Sequence, residues 1–206
     1  PSLDSINTAK ERWEGVGGSS SIHRINWTQD YSELPKIIDL AIVATNADVR
    51  SHVLKVILRN CSIRYLVLEK VLVQSSYQLE ELLHTVQSVD GAWVNTSRRM
   101  NTWHKKLQNI IPDRNPIKVY VGNNDWGLAC NSIHFLDLVS WWSNEKLITI
   151  DTSALNKTWI ASKRPRFFEI NGILKAIFSS GSELTLESRK EGETLLIKAN
   201  NLEGEW

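Results

Sequence analysis

Leu66-Val67-Leu68-Glu69-Lys70 is an apolar, branched run that ends abruptly in an adjacent acid and base. Such a run reads as a strand buried in a parallel sheet, and a helical pattern from about Ser76 to Val89 follows it. Charges at the carboxyl end of such a strand fall where open α/β sheets bind ligands, in the crevice beyond the strand ends. A lysine placed there can lose solvation and serve as a proton donor or a fixed positive charge. Alone, the pair reads as an exposed strand-end ion pair; its neighbours change that reading.

Upstream, Ile37–Val43 reads as a second buried strand, closed by Ala44-Thr45-Asn46. The spacing predicts a helix over 47–60 with Val49, Val53, Val56 and Ile57 inward. Downstream, Ala92-Trp93-Val94-Asn95 reads as a third strand, running towards Arg98-Arg99. Strands and helices alternating at this spacing imply βαβ units, a parallel sheet and right-handed crossovers. Before them, residues 3–14 read as a helix with Ser2 as N-cap and Leu3, Ile6, Ala9 and Trp13 on one face. Gly15-Val16-Gly17-Gly18 ends that helix and is not a phosphate loop, because a dinucleotide fingerprint follows a strand and opens a helix.

After Pro112 the rhythm changes. Lys118–Val121 reads as a strand and 128–142 as a long helix. Short alternating runs follow at Leu147–Asp151, Thr158–Ser162, Arg166–Ile170, Leu174–Phe178, Glu183–Glu187 and Thr194–Ala199. Runs of this kind in succession indicate an antiparallel sheet with one solvated face. The boundary is placed in the Pro, Asp, Arg and Asn cluster of Ile111–Pro116. Residues 1–114 then form one domain around a parallel sheet, and 115–206 an α+β domain with a mainly antiparallel sheet.

Composition sets limits. Twenty-four basic and 23 acidic residues give a net charge of +1, with no basic field for nucleic acid and no acidic tail. No apolar run approaches the roughly 20 residues of a membrane span. Cys61 and Cys130, the two cysteines, lack metal-ligand spacing, and a reduced, cytoplasmic protein is expected. Nine tryptophans are many for 206 residues, but core and interface use explains such abundance without a sugar site. Met100 is the sole methionine, so Pro1 is expected to be an internal or processed start.

Thr45 and Asn46 close one strand, Glu69 and Lys70 the next, and Arg98 and Arg99 lie beyond the third, so all three groups are expected to face one crevice. Thr45 and Asn46 serve equally well as a helix cap or as ligand contacts. One of the two arginines reads as a solvated turn residue. A second constellation lies on the long helix, where Cys130, His134 and Trp141 recur at helical spacing with Asn131 and Asp137 flanking them. Ala129, Ile133, Leu136, Val139 and Trp142 are expected to supply its core face. A polar stripe on an apolar helix needs partners or a function, and a histidine titrating near neutrality suits proton transfer. His23, His52, His84 and His104 read as surface residues.

Four segments in this order resemble the Gfo/Idh/MocA oxidoreductases, typified by glucose–fructose oxidoreductase and inositol 2-dehydrogenase. Asp39-Leu40-Ala41-Ile42-Val43-Ala44-Thr45 is similar to the family's third strand and its Ala-Thr end. Val67-Leu68-Glu69-Lys70 is similar to the strand ending in Glu-Lys(-Pro). Val94-Asn95-Thr96-Ser97-Arg98-Arg99-Met100 is similar to the Arg-Arg-Phe turn. Gly127–Asp137 is similar to the helix bearing the catalytic histidine.

The resemblance implies a partial Rossmann domain over 1–114 joined to an α+β domain with a large, mainly antiparallel open sheet over 115–206, and NAD- or NADP-linked chemistry on a sugar, nucleotide-sugar or cyclitol. Carried over by position, Lys70 and His134 would be catalytic. Ala44, Thr45, Asn46, Glu69, Lys70 and Arg98 would line the cofactor, and Arg99, Trp126, Asn131 and Asp137 the substrate. Val71 stands in place of the family's proline, and Cys130 four residues before His134, where many members have an aspartate. The family's first strand, glycine-rich turn and second strand have no counterpart here, so an isolated 1–206 piece is expected to bind dinucleotide negligibly. Homo-oligomerisation through the C-terminal sheet is expected, with no nucleic-acid or membrane partner. The alternative is a carbohydrate-binding or regulatory protein that keeps the fold without turnover.

Overall fold

The computed structural model describes residues 2–18, 24–111, 116–122, 124–192 and 195–199. Two compact units divide the chain, Pro1–Val94 and Asn95–Trp206. Much of the Ile111–Pro116 cluster, the expected boundary, lies outside the described residues. The units part earlier because Leu107 and Ile111 are buried in the core of the second unit.

In the first unit, helix α1 (Leu3–Gly15) forms as expected, with Ser2 Oγ accepting the Ser5 N–H at 3.2 Å. Strand β1 (Ile37–Val43), helix α2 (Ala47–Asn60), strand β2 (Ser62–Glu69), helix α3 (Ser76–Thr85) and strand β3 (Gly91–Asn95) follow in alternation. The sheet order is β1-β2-β3. β1 and β2 are parallel, in register from Ile37 opposite Ser62 to Val43 opposite Leu68. Leu54 of α2 and Leu82 of α3 close over Val43, Leu66 and Leu68 to form the core.

Two expectations are corrected here. β1 is not buried on both faces: Leu40 and Ile42 are 52% and 67% exposed. Helices cover only the Val43 side among the described residues, and an apolar strand is buried on two faces only where layers cover both. In α2 the inward line runs through Arg50 and Leu54, both buried, while Val49 faces outward.

The second unit contains helix α4 (Thr102–Ile110), strand β4 (Lys118–Gly122), helix α5 (Leu128–Ser143) and strands β5 (Leu147–Leu155), β6 (Ile160–Ala161), β7 (Phe168–Glu169), β8 (Gly172–Phe178), β9 (Glu183–Ser188) and β10 (Leu196–Ala199). Thr194, expected in the last strand, lies outside the described residues. The five-stranded sheet runs β10-β4-β9-β8-β5, and β6 and β7 form a separate two-stranded ladder. Only β4 and β9 pair in parallel; the other three pairings of the large sheet are antiparallel.

Strand alternation sorts the faces of this sheet. Val119, Val121, Ala176, Phe178, Leu184, Leu186, Ile197 and Ala199 are buried in one core with Leu128, Phe135, Leu138, Val139 and Trp142 of α5. Lys198, Tyr120, Thr185, Lys175 and Asp151 are cross-strand partners in one row on the opposite face. Buried Glu145 secures the β8–β9 turn, accepting the Ser180 N–H at 2.6 Å, the Ser182 N–H at 3.3 Å and the Ser182 hydroxyl. No helix among the described residues is long and apolar enough to cross a membrane.

Helix α5 buries Val139 and Trp142 as expected, with Leu136 packed against the core, but Ala129 and Ile133 face outward and Leu128, Phe135 and Leu138 are buried instead. Phe135 buries far more apolar area there than Ala129 could. α4 was not expected, and it changes the place of His104, which is wholly buried rather than at the surface. Its ring stacks on Trp103 at 3.6 Å and tilts against Trp142 at 5.3 Å. Neither ring nitrogen has a partner among the described residues. Burial, and then the charge of Arg98, push its pKa down to about 4. The unfolded chain therefore binds a proton below pH 6.5 that the folded chain refuses, so His104 lowers stability as pH falls from 6.5 towards 4. Urea unfolding of His104→Leu should be less acid-sensitive than wild type by roughly 2–3 kcal/mol between pH 7 and 4.5. Parallel pH dependences in the two proteins would contradict this.

Candidate functional site

The register of β1 and β2 decides what meets at their carboxyl ends. Val43 lies opposite Leu68, so Ala44, Thr45 and Asn46 leave β1 beside Glu69 and Lys70 leaving β2. This is the crevice position of an open α/β sheet. Asn46 occupies the N-cap position of α2 in an extended conformation, yet its side chain makes no capping hydrogen bond to the helix. The Thr45 hydroxyl is buried and has no partner among the described residues. The Lys70 amide donates to Glu69 Oε1 at 3.0 Å, and the Lys70–Val71 peptide is cis.

A residue absent from the expectations organises this crevice. Arg50, in the first turn of α2, is 1% exposed. Its Nη1 donates to the Val71 carbonyl and, at 2.7 Å, to the Leu72 carbonyl, while Nη2 donates to the Thr45 carbonyl. One guanidinium thus ties the loop after β1 to the loop after β2. Burial pushes its pKa down, and the nearby Glu69 carboxylate opposes that shift. The available signal was a cation in line with Leu54 and Ile57 at helical spacing, where an inward face is otherwise apolar.

The candidate residues of the second unit converge on α5. Arg98 and Arg99 lie in a short 3-10 turn, Ser97–Met100. Arg99 forms a two-pronged ion pair with Asp137, Nε to Oδ2 at 2.6 Å and Nη2 to Oδ1 at 2.5 Å, and lies over the Trp141 ring at 5.7 Å. Arg98 stands over the Phe135 ring at 4.6 Å, and burial lowers its pKa. Asn131 Nδ2 donates to the Trp126 carbonyl at 2.8 Å, and Trp126 Nε1 donates to the Glu187 carbonyl at 2.7 Å. Glu169 Oε2 accepts the Ala129 and Cys130 N–H groups at 2.9 and 3.3 Å, satisfying the helix's first turn. Gly127 precedes it with φ +74, where a side chain would be strained and would crowd Glu169 and Asn131. His134 is 9% exposed on the buried side of this helix.

Lys70 thus sits in the first unit and His134 in the second. Ala44, Thr45, Asn46, Glu69 and Lys70 are grouped by adjacent strand ends; Arg98, Arg99, Trp126, Asn131, His134 and Asp137 are grouped on or around α5. Among the described residues, no three His, Cys, Asp or Glu side chains are placed to hold a metal ion. Arg50→Ala strips three carbonyls of their donor and should cost roughly 3 kcal/mol in chemical unfolding. Arg50→Lys, lacking the fork, should recover less than half of that loss; equal stability of Arg50→Ala and wild type would contradict the clamp.

No protein-family model matches the chain, and no curated protein matches it. Solved structures do. A probable dehydrogenase from Thermotoga maritima aligns with a TM-score of 0.67 at 14% identity, over 96% of this chain and 63% of its own. The super-repressor mutant of Gal80p from Saccharomyces cerevisiae aligns with a TM-score of 0.66 at 13% identity, over 94% and 61%. The myo-inositol dehydrogenase from Lactobacillus casei, solved in complex with NAD(H) and myo-inositol, gives 0.56 at 14%, over 79% and 52%. The chain spans 52 to 63% of the length of these three structures. At these identities the likeness is one of fold.

Proposed function

We propose that the protein is an NAD(P)-dependent oxidoreductase. It would transfer a hydride between the nicotinamide cofactor and a sugar, nucleotide-sugar or cyclitol-like alcohol or carbonyl. The observation that carries this reading is the tethering of two adjacent parallel strand ends, Thr45 and Glu69-Lys70, by one buried guanidinium. Dinucleotides bind in the crevice outside such ends. The buried Thr45 hydroxyl, without a partner among the described residues, suits a polar edge of such a cofactor, because buried polar groups are ordinarily hydrogen-bonded. Ala44, Asn46, Glu69 and Arg98 complete the residues assigned to it. The cofactor, when bound, supplies the hydride acceptor or donor.

The chain's own residues handle the proton and the orientation. Lys70 donates a hydrogen bond to the reacting oxygen and offsets negative charge developing there. His134 takes or returns the hydroxyl proton, a role for which an imidazole has both an acceptor and a donor nitrogen. Asp137 is engaged by Arg99, which favours His134 over it as the proton-transfer group. Arg99, Asp137, Asn131 and Trp126 form the substrate wall, Asn131 holding the Trp126 loop through its carbonyl. In this scheme the first domain carries the cofactor. The second carries the substrate and, through the open face of its five-stranded sheet, joins copies of the chain.

A second reading is a regulatory protein that binds its ligand without turnover. Cys130, four residues before His134 where relatives of this kind place an acid, and the Arg99–Asp137 pair support it, as does the likeness to the Gal80p super-repressor. Absorbance assays of reduced cofactor with a panel of sugars, cyclitols and nucleotide-sugars separate the two. The full-length protein should turn over at least one of them, and Lys70→Ala and His134→Ala should each lower kcat by about 10²-fold or more. Cofactor binding with no turnover would support the regulator, and near-native kcat in both variants would overturn the assigned roles.

A further inference from the structure

β5 and β8 are antiparallel neighbours whose pairing continues to Leu155 opposite Gly172. Two to five residues suffice to close a hairpin, yet residues 156–171 intervene here. This excursion is built. Asn156 N–H donates to the Asn171 carbonyl at 2.9 Å across its base. β6 and β7 then pair, Ile160 with Glu169 and Ala161 with Phe168. The tip is closed by Ser162 N–H to the Phe167 carbonyl at 2.9 Å and Phe167 N–H to the Arg164 carbonyl at 3.2 Å. Glu169 then docks the arm on the first turn of α5 through the Ala129 and Cys130 amides. Long connections with internal structure are commonly functional.

Its composition differs sharply from the rest of the chain. Between Asp151 and Glu169 stand Lys157, Lys163, Arg164 and Arg166 with no Asp or Glu, in a chain whose net charge is only +1. All four cations are exposed. Glu169, the next acid along the chain, is committed to the α5 amides. Trp159 and Phe168 are 63% and 60% exposed on the same arm. Large exposed rings beside clustered cations mark a recognition surface rather than a solvated turn. Guanidinium and ammonium groups match phosphate oxygens, and aromatic faces stack on flat bases.

We infer that this arm binds a nucleoside diphosphate group, its cations meeting the pyrophosphate and Trp159 or Phe168 stacking on the base. An extended nucleic acid would require a broader basic surface than one arm of a nearly neutral chain. The docking by Glu169 places the arm's base at the helix that carries Asn131 and His134. The inference therefore deepens the proposed function, on which it rests: the sugar would arrive linked to a nucleotide.

Calorimetric titration of the full-length protein with UDP and with ADP tests it, alongside uridine, inorganic pyrophosphate, a single-stranded oligonucleotide and NADH. At least one diphosphate should bind saturably and more tightly than uridine or pyrophosphate. Lys163→Gln combined with Arg164→Gln should weaken it by about tenfold or more, and Trp159→Ala by several-fold, with thermal midpoints unchanged because these side chains are exposed. NADH affinity should be the same in all variants. Diphosphate binding that is absent, or unaffected in both variants, would overturn the inference. So would tighter binding of the oligonucleotide, pyrophosphate binding as tight as UDP, or loss of NADH binding in the arm variants. Arm-dependent diphosphate binding without any NADH binding would support the arm and overturn the oxidoreductase.

Discussion

A buried guanidinium needs acceptors for its N–H groups, and Arg50, which finds them at both Nη atoms while its Nε has no partner among the described residues, shapes the carboxyl end of the first unit's sheet. The cation has left water almost entirely, at a cost that only well-placed acceptors can offset. Its acceptors are carbonyls of Thr45, Val71 and Leu72, which belong to the exits of two neighbouring strands. The parallel register between Val43 and Leu68 brings those exits level. The clamp then fixes their spacing, and with it the relation of the Thr45 hydroxyl to Lys70. Removing it would leave three carbonyls competing for water in a core lined by Leu54, Leu66 and Leu68.

The second unit uses carboxylates for comparable ends. Glu169 satisfies the α5 amides that a helix leaves open at its start, Asp137 holds the arginine turn, and Glu145 holds the β8–β9 turn. All three join segments remote in sequence, so each fixes tertiary geometry rather than a local turn. His134 lies on a helix fixed at its first turn by Glu169 and along its length by Asp137, a rigid support of the kind a proton-transfer group requires.

What was legible in the sequence follows from periodicity. Strand runs such as Ile37–Val43 and Leu66–Glu69, and the limits of α5, depend on local patterns that a single sequence carries. What was not legible depends on which layers meet. The apolar run of β1 could not reveal that Leu40 and Ile42 face away from the helices. α4 was hidden because Trp103, His104, Leu107 and Ile111 look apolar only once His104 is recognised as a buried neutral ring. In α5 the inward places of Leu128, Phe135 and Leu138 over Ala129 and Ile133 were hidden because apolar residues stand on nearly every side of that helix. Arg50 was invisible because its partners are backbone carbonyls, which leave no trace in side-chain identity. The same holds for the Glu169 anchor of the 156–171 arm.

The central claim is that the strand ends at Thr45 and Lys70 receive a nicotinamide dinucleotide. Photo-crosslinking the full-length protein with a photoreactive NAD analogue, followed by peptide mapping by mass spectrometry, addresses that claim most directly. Label confined to peptides containing residues 44–46 and 69–72, and competed away by unlabelled NAD(H) or NADP(H), is the expected result. Label that is not competed, or that falls only on peptides from the second unit, would contradict the account.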